Sequence, residues 1–169
     1  DLLYATTDCQ KKISVNPLVI VDGLPKVVGI SDQIKFHANH LVETLRKELN
    51  IEMGHLRDKL RARTLERIFI EERIYKRIES KESAEAVEKA VVTGFKPFMS
   101  EIGEILPTHD DVERLLKIPI RRISLFDIEK NREEIRQIEA DIAQCVNRLN
   151  NIIDYAEDFI TELEGMFDP

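Results

Sequence analysis

The sequence predicts a mainly α protein, in which a long antiparallel two-helix coiled coil carries a small helical globular tip and follows a short β-hairpin region at the N-terminus. From Ile135 onward, apolar residues recur at alternating steps of three and four, which is the pattern of a coiled-coil seam. A second apolar stripe runs earlier in the chain, and charged residues make up 34% of the whole, as is typical of long solvated helices. The predicted order is a strand region, an outgoing helix, the tip and a returning helix, at residues 1–31, 32–64, 65–127 and 128–169.

The N-terminal region carries the β signals of the chain. We expect short strands at residues 2–5 and 13–15. Residues 18–28 give a stronger signal, because Asp22-Gly23 between two apolar runs is typical of a tight hairpin turn. So few strands do not form a stable sheet alone, and we expect them to be the edge of a larger sheet. The chain begins without Met, and we expect it to be a piece of a longer protein.

The two long helices are expected to pack along their apolar stripes. The outgoing helix begins at a cap formed by Ser31 or Asp32, and the chain then returns along its partner, so the pair is antiparallel. Lys and Arg number 11 against 9 Asp and Glu in residues 31–79, but 4 against 11 in residues 128–169, which favours this pairing. The predicted seam consists of Leu41, Leu45, Leu49, Leu56, Leu60, Ile135, Ile138, Ile142, Leu149, Ile152, Phe159 and Leu163. A second apolar row flanks the returning seam at Val146, Ile153, Ile160 and Phe167.

The tip is predicted to consist of short helices. The outgoing helix continues to about Ile78, Ser83 caps a helix that ends at Gly94, and Thr108 with Asp111 starts another. A core built from so few residues is marginal, so some apolar side chains are candidates for contact with a second copy of the chain. Burial inside the tip and contact with a second tip are both open interpretations for Ile118, Ile120, Ile123, Leu125 and Phe126.

Other kinds of site are weakly supported. His37 and His40 share a helical face, but no third His or Cys lies nearby, so solvated side chains are a better interpretation than a metal site. We assign no catalytic, cofactor-binding or metal-binding residues. Cys9 and Cys145 are too few for a disulfide framework and no segment is apolar enough to span a membrane, so we expect a cytoplasmic protein.

Three segments resemble a known family. Residues 65–75, L-E-R-I-F-I-E-E-R-I-Y, resemble the L-E-x-I-F-I-E-x-R-I-Y stretch of the A subunits of bacterial topoisomerase IV, a type IIA topoisomerase. Residues 118–128, I-P-I-R-R-I-S-L-F-D-I, resemble the segment that opens the returning helix in that family. Residues 19–32, V-I-V-D-G-L-P-K-V-V-G-I-S-D, are similar to its hairpin. The A subunit of DNA gyrase shares the architecture, but its arm and tip are less similar.

The resemblance implies a function for the tip. In this family the tips of two A subunits meet and form the exit gate for a transported DNA duplex, and the strand region is the edge of the tower domain. The whole enzyme contains two A and two B subunits, relaxes and decatenates double-stranded DNA, and obtains its ATP and Mg²⁺ sites through the B subunit. Tyr4, Tyr75 and Tyr155 lack the context of the family's nucleophilic tyrosine, so we expect this segment to be non-catalytic.

Two interpretations from other classes remain. One is a generic coiled-coil scaffold that dimerises along its arms rather than through its tip. The other is a metal-dependent hydrolase that uses His37 and His40. A nucleoid-associated location follows from the topoisomerase interpretation and not from either alternative.

Overall fold

The computed structural model describes residues 3, 6–7, 14–79, 81, 83–119, 123 and 128–167. The chain divides into two compact units, residues 1–45 and 46–169. Helices dominate the described residues, which confirms the mainly α prediction, and none of these helices is both long and apolar enough to cross a membrane. The elements are β1 (Leu18–Val21), β2 (Leu24–Val27), α1 (Ile30–Glu71), a 3₁₀ helix (Ile74–Ile78), α2 (Ala84–Phe95), a second 3₁₀ helix (Lys96–Phe98), α3 (His109–Leu116), α4 (Ile128–Asn150) and α5 (Ile152–Phe167).

The predicted hairpin is confirmed in the first unit. Strands β1 and β2 are antiparallel, with Leu18 opposite Val27 and Val21 opposite Leu24. Asp22 has a φ angle of 53° and Gly23 one of 79°, so both turn residues lie in the left-handed region. A two-residue turn of this kind matches the twist of the strands, and Asp-Gly adopts it at little cost.

The other two predicted strands are wrong where the structure describes them. Leu3 and Thr6 are helical, and the amide of Thr7 donates a hydrogen bond to the Leu3 carbonyl at 3.1 Å. Ser14 and Val15 belong to neither strand nor helix. The remaining residues of these two predictions lie outside the described part of the chain. Short apolar runs do not distinguish helix from strand by their pattern, which explains the error.

Helix α1 differs from its prediction at both ends. It begins at Ile30, and the amides of Asp32 and Gln33 both donate to the Gly29 carbonyl, so the predicted capping residues lie inside the first turn. It passes residue 64 without interruption but ends at Glu71, short of the predicted end. Arg73 follows in the left-handed region with a φ angle of 52°, which stops the α-helix and leads into the 3₁₀ helix.

The glycine predicted to end α2 has another role. Ser83 caps α2 as predicted, accepting a hydrogen bond from the Ala86 amide at 3.3 Å, but the helix continues to Phe95. Gly94 is buried inside the last turn, and a Cβ built on it would lie 2.9 Å from Cγ2 of Ile74. Glycine is therefore present because the fully buried Ile74 occupies the space that a side chain would need.

The antiparallel pairing of the two arms is confirmed in the second unit. Arg63 Nε on α1 lies 3.2 Å from Glu134 Oε2 on α4, and Arg132 Nη2 lies 2.7 Å from Glu71 Oε1. Residue numbers that rise along α1 are thus paired with numbers that fall along α4. Of the predicted seam residues in this unit, Leu49, Ile138 and Ile152 are buried, Leu56, Leu60, Ile135, Ile142, Leu149 and Phe159 are partly buried, and Leu163 is exposed. In the first unit Leu45 is buried and Leu41 is partly buried.

The returning helix contains an irregularity that the sequence pattern did not reveal. Asn151 separates α4 from α5, although its amide still donates to the Asn147 carbonyl and its own carbonyl accepts from the Tyr155 amide, both at 3.0 Å. The Asn151 side-chain amide also donates to the Asn147 carbonyl, at 3.1 Å. Asn side chains compete with the backbone for hydrogen bonds, which accounts for a local irregularity between two helices whose backbone hydrogen bonds continue across it.

The core of the second unit lies in the tip. Ten buried apolar residues from α1, the first 3₁₀ helix, α2, α3 and the loop before α3 pack together: Leu65, Ile68, Phe69, Ile70, Ile74, Val91, Phe95, Ile102, Val112 and Leu115. The end of α1 therefore belongs to both the arm and the tip. A continuous helix across this junction fixes the direction in which the tip leaves the arm.

We expect Gly94→Ala to destabilise the chain, although alanine favours helix more than glycine does. The added methyl group overpacks the contact with Ile74 and should lower the free energy of unfolding by about 1–3 kcal/mol. Gly54→Ala is the matched control, because a Cβ there meets nothing within 4 Å in α1, and it should stabilise by about 0.5–1 kcal/mol. Urea unfolding followed by circular dichroism measures both. Equal effects of the two substitutions would contradict the close-packing role of Gly94.

Candidate interface on the helical tip

An arginine on α1 attaches the loop before α3 to the arm. Arg61 on α1 donates from Nη2 to the Leu106 carbonyl at 3.1 Å, and from Nη1 to the carbonyls of Ile102 and Ile105, each at 3.4 Å. Its Nη2 also lies 3.1 Å from Oδ2 of Asp111 at the start of α3. Because the guanidinium is planar and carries five N–H groups, one side chain can satisfy several acceptors of the loop at once.

Asp111 connects this attachment to the cap of α3. Its Oδ2 accepts a hydrogen bond from the Thr108 amide at 3.0 Å, and the Asp111 amide donates to Thr108 Oγ1 at 3.3 Å, which confirms the predicted capping box. Burial alone would raise the pKa of the Asp111 carboxyl. The hydrogen bonds from Thr108 and the charge of Arg61 outweigh burial and lower this pKa below its ordinary value.

A second network joins both arms to the loop before α3. Glu71 at the end of α1 accepts from Arg132 of α4 at 2.7 Å and from Arg67 Nη1 at 3.1 Å, while Arg67 Nη2 donates to Glu101. Burial alone would lower the pKa of Arg67, but the hydrogen bonds and charges of Glu101 and Glu71 raise it. The chain of alternating charges therefore runs from α4 through α1 into the tip.

Asn131 is a functional candidate that sequence reasoning missed. It follows Ile128 by three residues and precedes Ile135 by four, so it occupies a seam position on α4. It is 4% exposed, and its Oδ1 has no hydrogen-bond partner among the described residues. A buried polar residue in a seam limits the registers that a helix pair can adopt. The signal was the gap in the apolar pattern between Ile128 and Ile135.

The structure describes two of the five predicted contact residues. Ile118 and Ile123 are partly buried and pack against the tip core, so part of each side chain serves the tip itself. Ile120, Leu125 and Phe126 lie outside the described residues. Leu116, at the end of α3, is 42% exposed and adds a further apolar side chain next to this segment. The amphipathic pattern of α3, with Val112 and Leu115 buried, is the signal that identifies Leu116 as outward-facing.

The remaining candidates for metal binding or catalysis, among them His40, Tyr75 and Tyr155, pack against aromatic or charged side chains. In the first unit the ring of His40 stacks on Phe36 at a centroid distance of 6.1 Å. Within the described residues no group of three or more His, Cys, Asp and Glu is placed to hold a metal ion. In the second unit Tyr75 packs against Phe69 at 6.2 Å, and Arg148 lies over the ring of Tyr155 at 4.9 Å. Burial and the nearby Glu52 raise the pKa of the Cys145 thiol.

We expect the contribution of Asp111 to stability to depend on pH. Its folded-state pKa is lowered, so this contribution is complete above the ordinary value of about 3.9 and is lost as the pH falls through the folded-state value. Asp111→Asn should lower the free energy of unfolding by about 1–3 kcal/mol at pH 7. The difference from the unsubstituted chain should shrink in urea unfolding curves recorded at falling pH below about 5.

The exposed neighbour provides the control for this experiment. Asp110→Asn removes a carboxylate from the same helix turn but breaks no ion pair that the structure contains among the described residues, so its effect should stay within about 0.3–1 kcal/mol. A gap for Asp111→Asn that is independent of pH would show that the ionised Asp111 carboxyl, with its partners Thr108 and Arg61, does not stabilise the tip.

Comparisons with known proteins identify the family of this chain. A family model that describes the A subunit of DNA gyrase/topoisomerase IV matches residues 1–164. The chain is 39% identical over 159 residues to the A subunit of DNA topoisomerase 4 from Borreliella burgdorferi, a match that covers 94% of this chain and 25% of that protein. It is 25% identical over 151 residues to the A subunit of DNA gyrase from Brachyspira hyodysenteriae, covering 87% of this chain and 17% of that protein. The chain thus spans about a quarter or less of the length of these relatives. It belongs to the family of DNA gyrase and topoisomerase IV A subunits.

Proposed function

We propose that this chain is the exit-gate and dimerisation region of the A subunit of a bacterial topoisomerase IV, and that its tip binds the same tip of a second copy. The observation that carries the proposal is the combination of family membership over residues 1–164 with a separate helical core at the end of an antiparallel helix pair. In this proposal residues 1–31 form the tower edge, residues 32–64 and 128–169 the arms, and residues 65–127 the gate.

The burial of the seam favours a contact through the tip over one along the arms. Leu49, Ile138 and Ile152 are each at most 7% exposed within a single chain. Seam residues that are already buried have no apolar surface left to offer a second copy, and exposing each would cost about 1.5–3 kcal/mol. A generic scaffold that dimerises through these seam residues is therefore the weaker candidate.

The charged networks suit a tip that bears mechanical load. Arg61 ties the loop and α3 to α1, while Glu71 ties α1 to α4 and, through Arg67, to Glu101. The Arg61–Asp111 and Glu71–Arg132 interactions each connect the tip to an arm, and Arg67 joins Glu71 to Glu101 within the tip. A force that separates two tips would therefore be transmitted to both arms.

The partial burial of the predicted contact residues suits a reversible gate. Ile118 and Ile123 use part of their surface in the tip core, so less apolar area remains for a second tip. A small apolar contact is expected for an interface that must open and close once per strand passage, whereas an obligate dimer buries much more. The rigid tips would separate and meet again as bodies.

The remaining activity is proposed for the full-length protein. Combined with a B subunit that supplies the ATP and Mg²⁺ sites, it would relax and decatenate double-stranded DNA in the cytoplasm by double-strand passage, with the catalytic tyrosine elsewhere in the A subunit. We favour topoisomerase IV over gyrase because the topoisomerase subunit from Borreliella burgdorferi is 39% identical and the gyrase subunit from Brachyspira hyodysenteriae is 25% identical. A gyrase A subunit is the alternative.

We expect acidic substitutions in the tip to weaken self-association of the chain. Ile120→Glu combined with Phe126→Glu places two charges in the proposed contact, where burying an unpaired carboxylate is strongly unfavourable. Sedimentation velocity over a range of concentrations should show a dimer for the unsubstituted chain and a monomer for this variant at the same concentration. Circular dichroism verifies that the helices remain.

An apolar residue on the arm provides the control. Ile51 on α1 is 61% exposed, so Ile51→Glu makes the same chemical change outside the tip and should leave the dimer intact. The gate assignment is wrong if the tip variant remains a dimer while substitutions in the seam separate the copies.

A further inference from the structure

An exposed apolar row runs along the returning helix beside the buried seam. It occupies every seventh position, at Val146, Ile153, Ile160 and Phe167. Ile153 is 56% exposed, Ile160 50% and Phe167 81%. Residues seven apart lie on the same side of a helix in a heptad arrangement, so this row forms one continuous edge. We call it the basal row.

The basal row is confined to the half of the returning helix that is farther from the tip in sequence. Continuing the same spacing toward the tip gives Glu139 and Arg132, both exposed and charged. The apolar edge from Val146 to Phe167 is about 32 Å long at 1.5 Å per residue. Leu163 of the predicted seam and Met166, three residues further along, are also exposed and widen the apolar surface at the end of α5. An occupant of this length and shape is a helix lying along α5.

The charge of α5 restricts the chemistry of that occupant. The helix contains no Lys or Arg, and its acidic residues are all exposed: Asp154, Glu157, Asp158, Glu162 and Glu164. DNA is repelled by such a surface, because binding requires clustered cations. An anionic membrane is repelled for the same reason. A second α5 would bring like charges together around the row, and this repulsion disfavours such a pairing. A helix with Lys or Arg beside an apolar stripe complements both features.

We infer that the basal row is covered by a basic amphipathic helix from the same polypeptide, outside residues 1–169. In the Borreliella burgdorferi relative the matched region makes up 25% of the protein, so most of a chain of that kind is available to supply it. This contact would hold the end of the returning arm that is farther from the tip in sequence, whereas the proposed tip contact lies at the opposite end. It does not depend on whether the tips form a gate.

Photo-crosslinking in the full-length A subunit tests this inference. A benzophenone amino acid replaces Ile153 in one variant and Ile160 in another, and Glu139 in the control, which lies in the same heptad column beyond the row. Irradiation of the purified protein should give several-fold more adduct at the two row positions than at Glu139. The product should run as a single chain on a denaturing gel. Mass spectrometry should identify the crosslinked peptide as one outside residues 1–169 that has Lys or Arg within one helical turn of an apolar residue.

Other outcomes overturn the inference. A two-chain product shows that a second copy covers the row, and an adduct within residues 1–169 shows that the chain segment covers itself. A crosslinked peptide without Lys or Arg refutes the charge argument. Adduct yields at Ile153 and Ile160 no higher than at Glu139 show that nothing covers the row. Using two row positions guards against a probe that disrupts the local contact at one of them.

Discussion

The antiparallel register of α1 against α4 is the constraint on which the second unit depends. The tip core takes Leu65, Ile68 and Phe69 from the end of α1, so any slip of the helix pair would displace the tip relative to α4. Apolar burial along the seam supplies most of the attraction, at about 1.5–3 kcal/mol for each fully buried side chain. Burial alone does not choose a register, because neighbouring apolar positions are similar. The pairs Arg63–Glu134 and Arg132–Glu71, with Asn131 buried in the seam, distinguish one register from the others.

The charged interactions differ in how much they contribute to stability. Arg136 and Glu133 form a pair within one exposed helix surface, and such pairs contribute about 0.3–0.5 kcal/mol. Arg61 is different, because it satisfies several acceptors that belong to a loop and to a separate helix. The loss of Arg61 would remove the hydrogen bonds that those carbonyls accept from it and the ion pair at the start of α3. The positions of the ion pairs, more than their number, thus determine how strongly the tip is held to the arm.

The sequence contained enough information for the helices, the hairpin turn and the capping box, since each rests on a local pattern. The heptad spacing predicted the antiparallel pair, and Thr108 with Asp111 predicted the start of α3. Three features depend on contacts that no local pattern reveals. The left-handed Arg73 ends α1 early so that Ile74 enters the core, Gly94 makes room for Ile74, and Asn151 separates two helices although the apolar pattern continues through it.

The candidate site could be predicted only in part. The pattern identified Ile118 and Ile123 as apolar residues near the tip surface but could not divide their area between the tip core and a second copy. The pattern also did not identify Asn131, because a polar residue in the seam is not part of an apolar repeat. The basal row was visible as a flank of the seam, whereas its exposure required the structure.

In the proposed function two tips meet and must part for a DNA duplex to leave, and a reversible disulfide across the proposed contact tests this most directly. A full-length protein with Ile120→Cys and Cys9→Ser is combined with its B subunit, oxidised to link two copies through their tips, and assayed for ATP-dependent decatenation of linked DNA circles. We expect the linked enzyme to lose multiple-turnover decatenation and to regain it after dithiothreitol. An Ile51→Cys control should keep its activity throughout. Undiminished decatenation by the fully linked enzyme would contradict the exit-gate function.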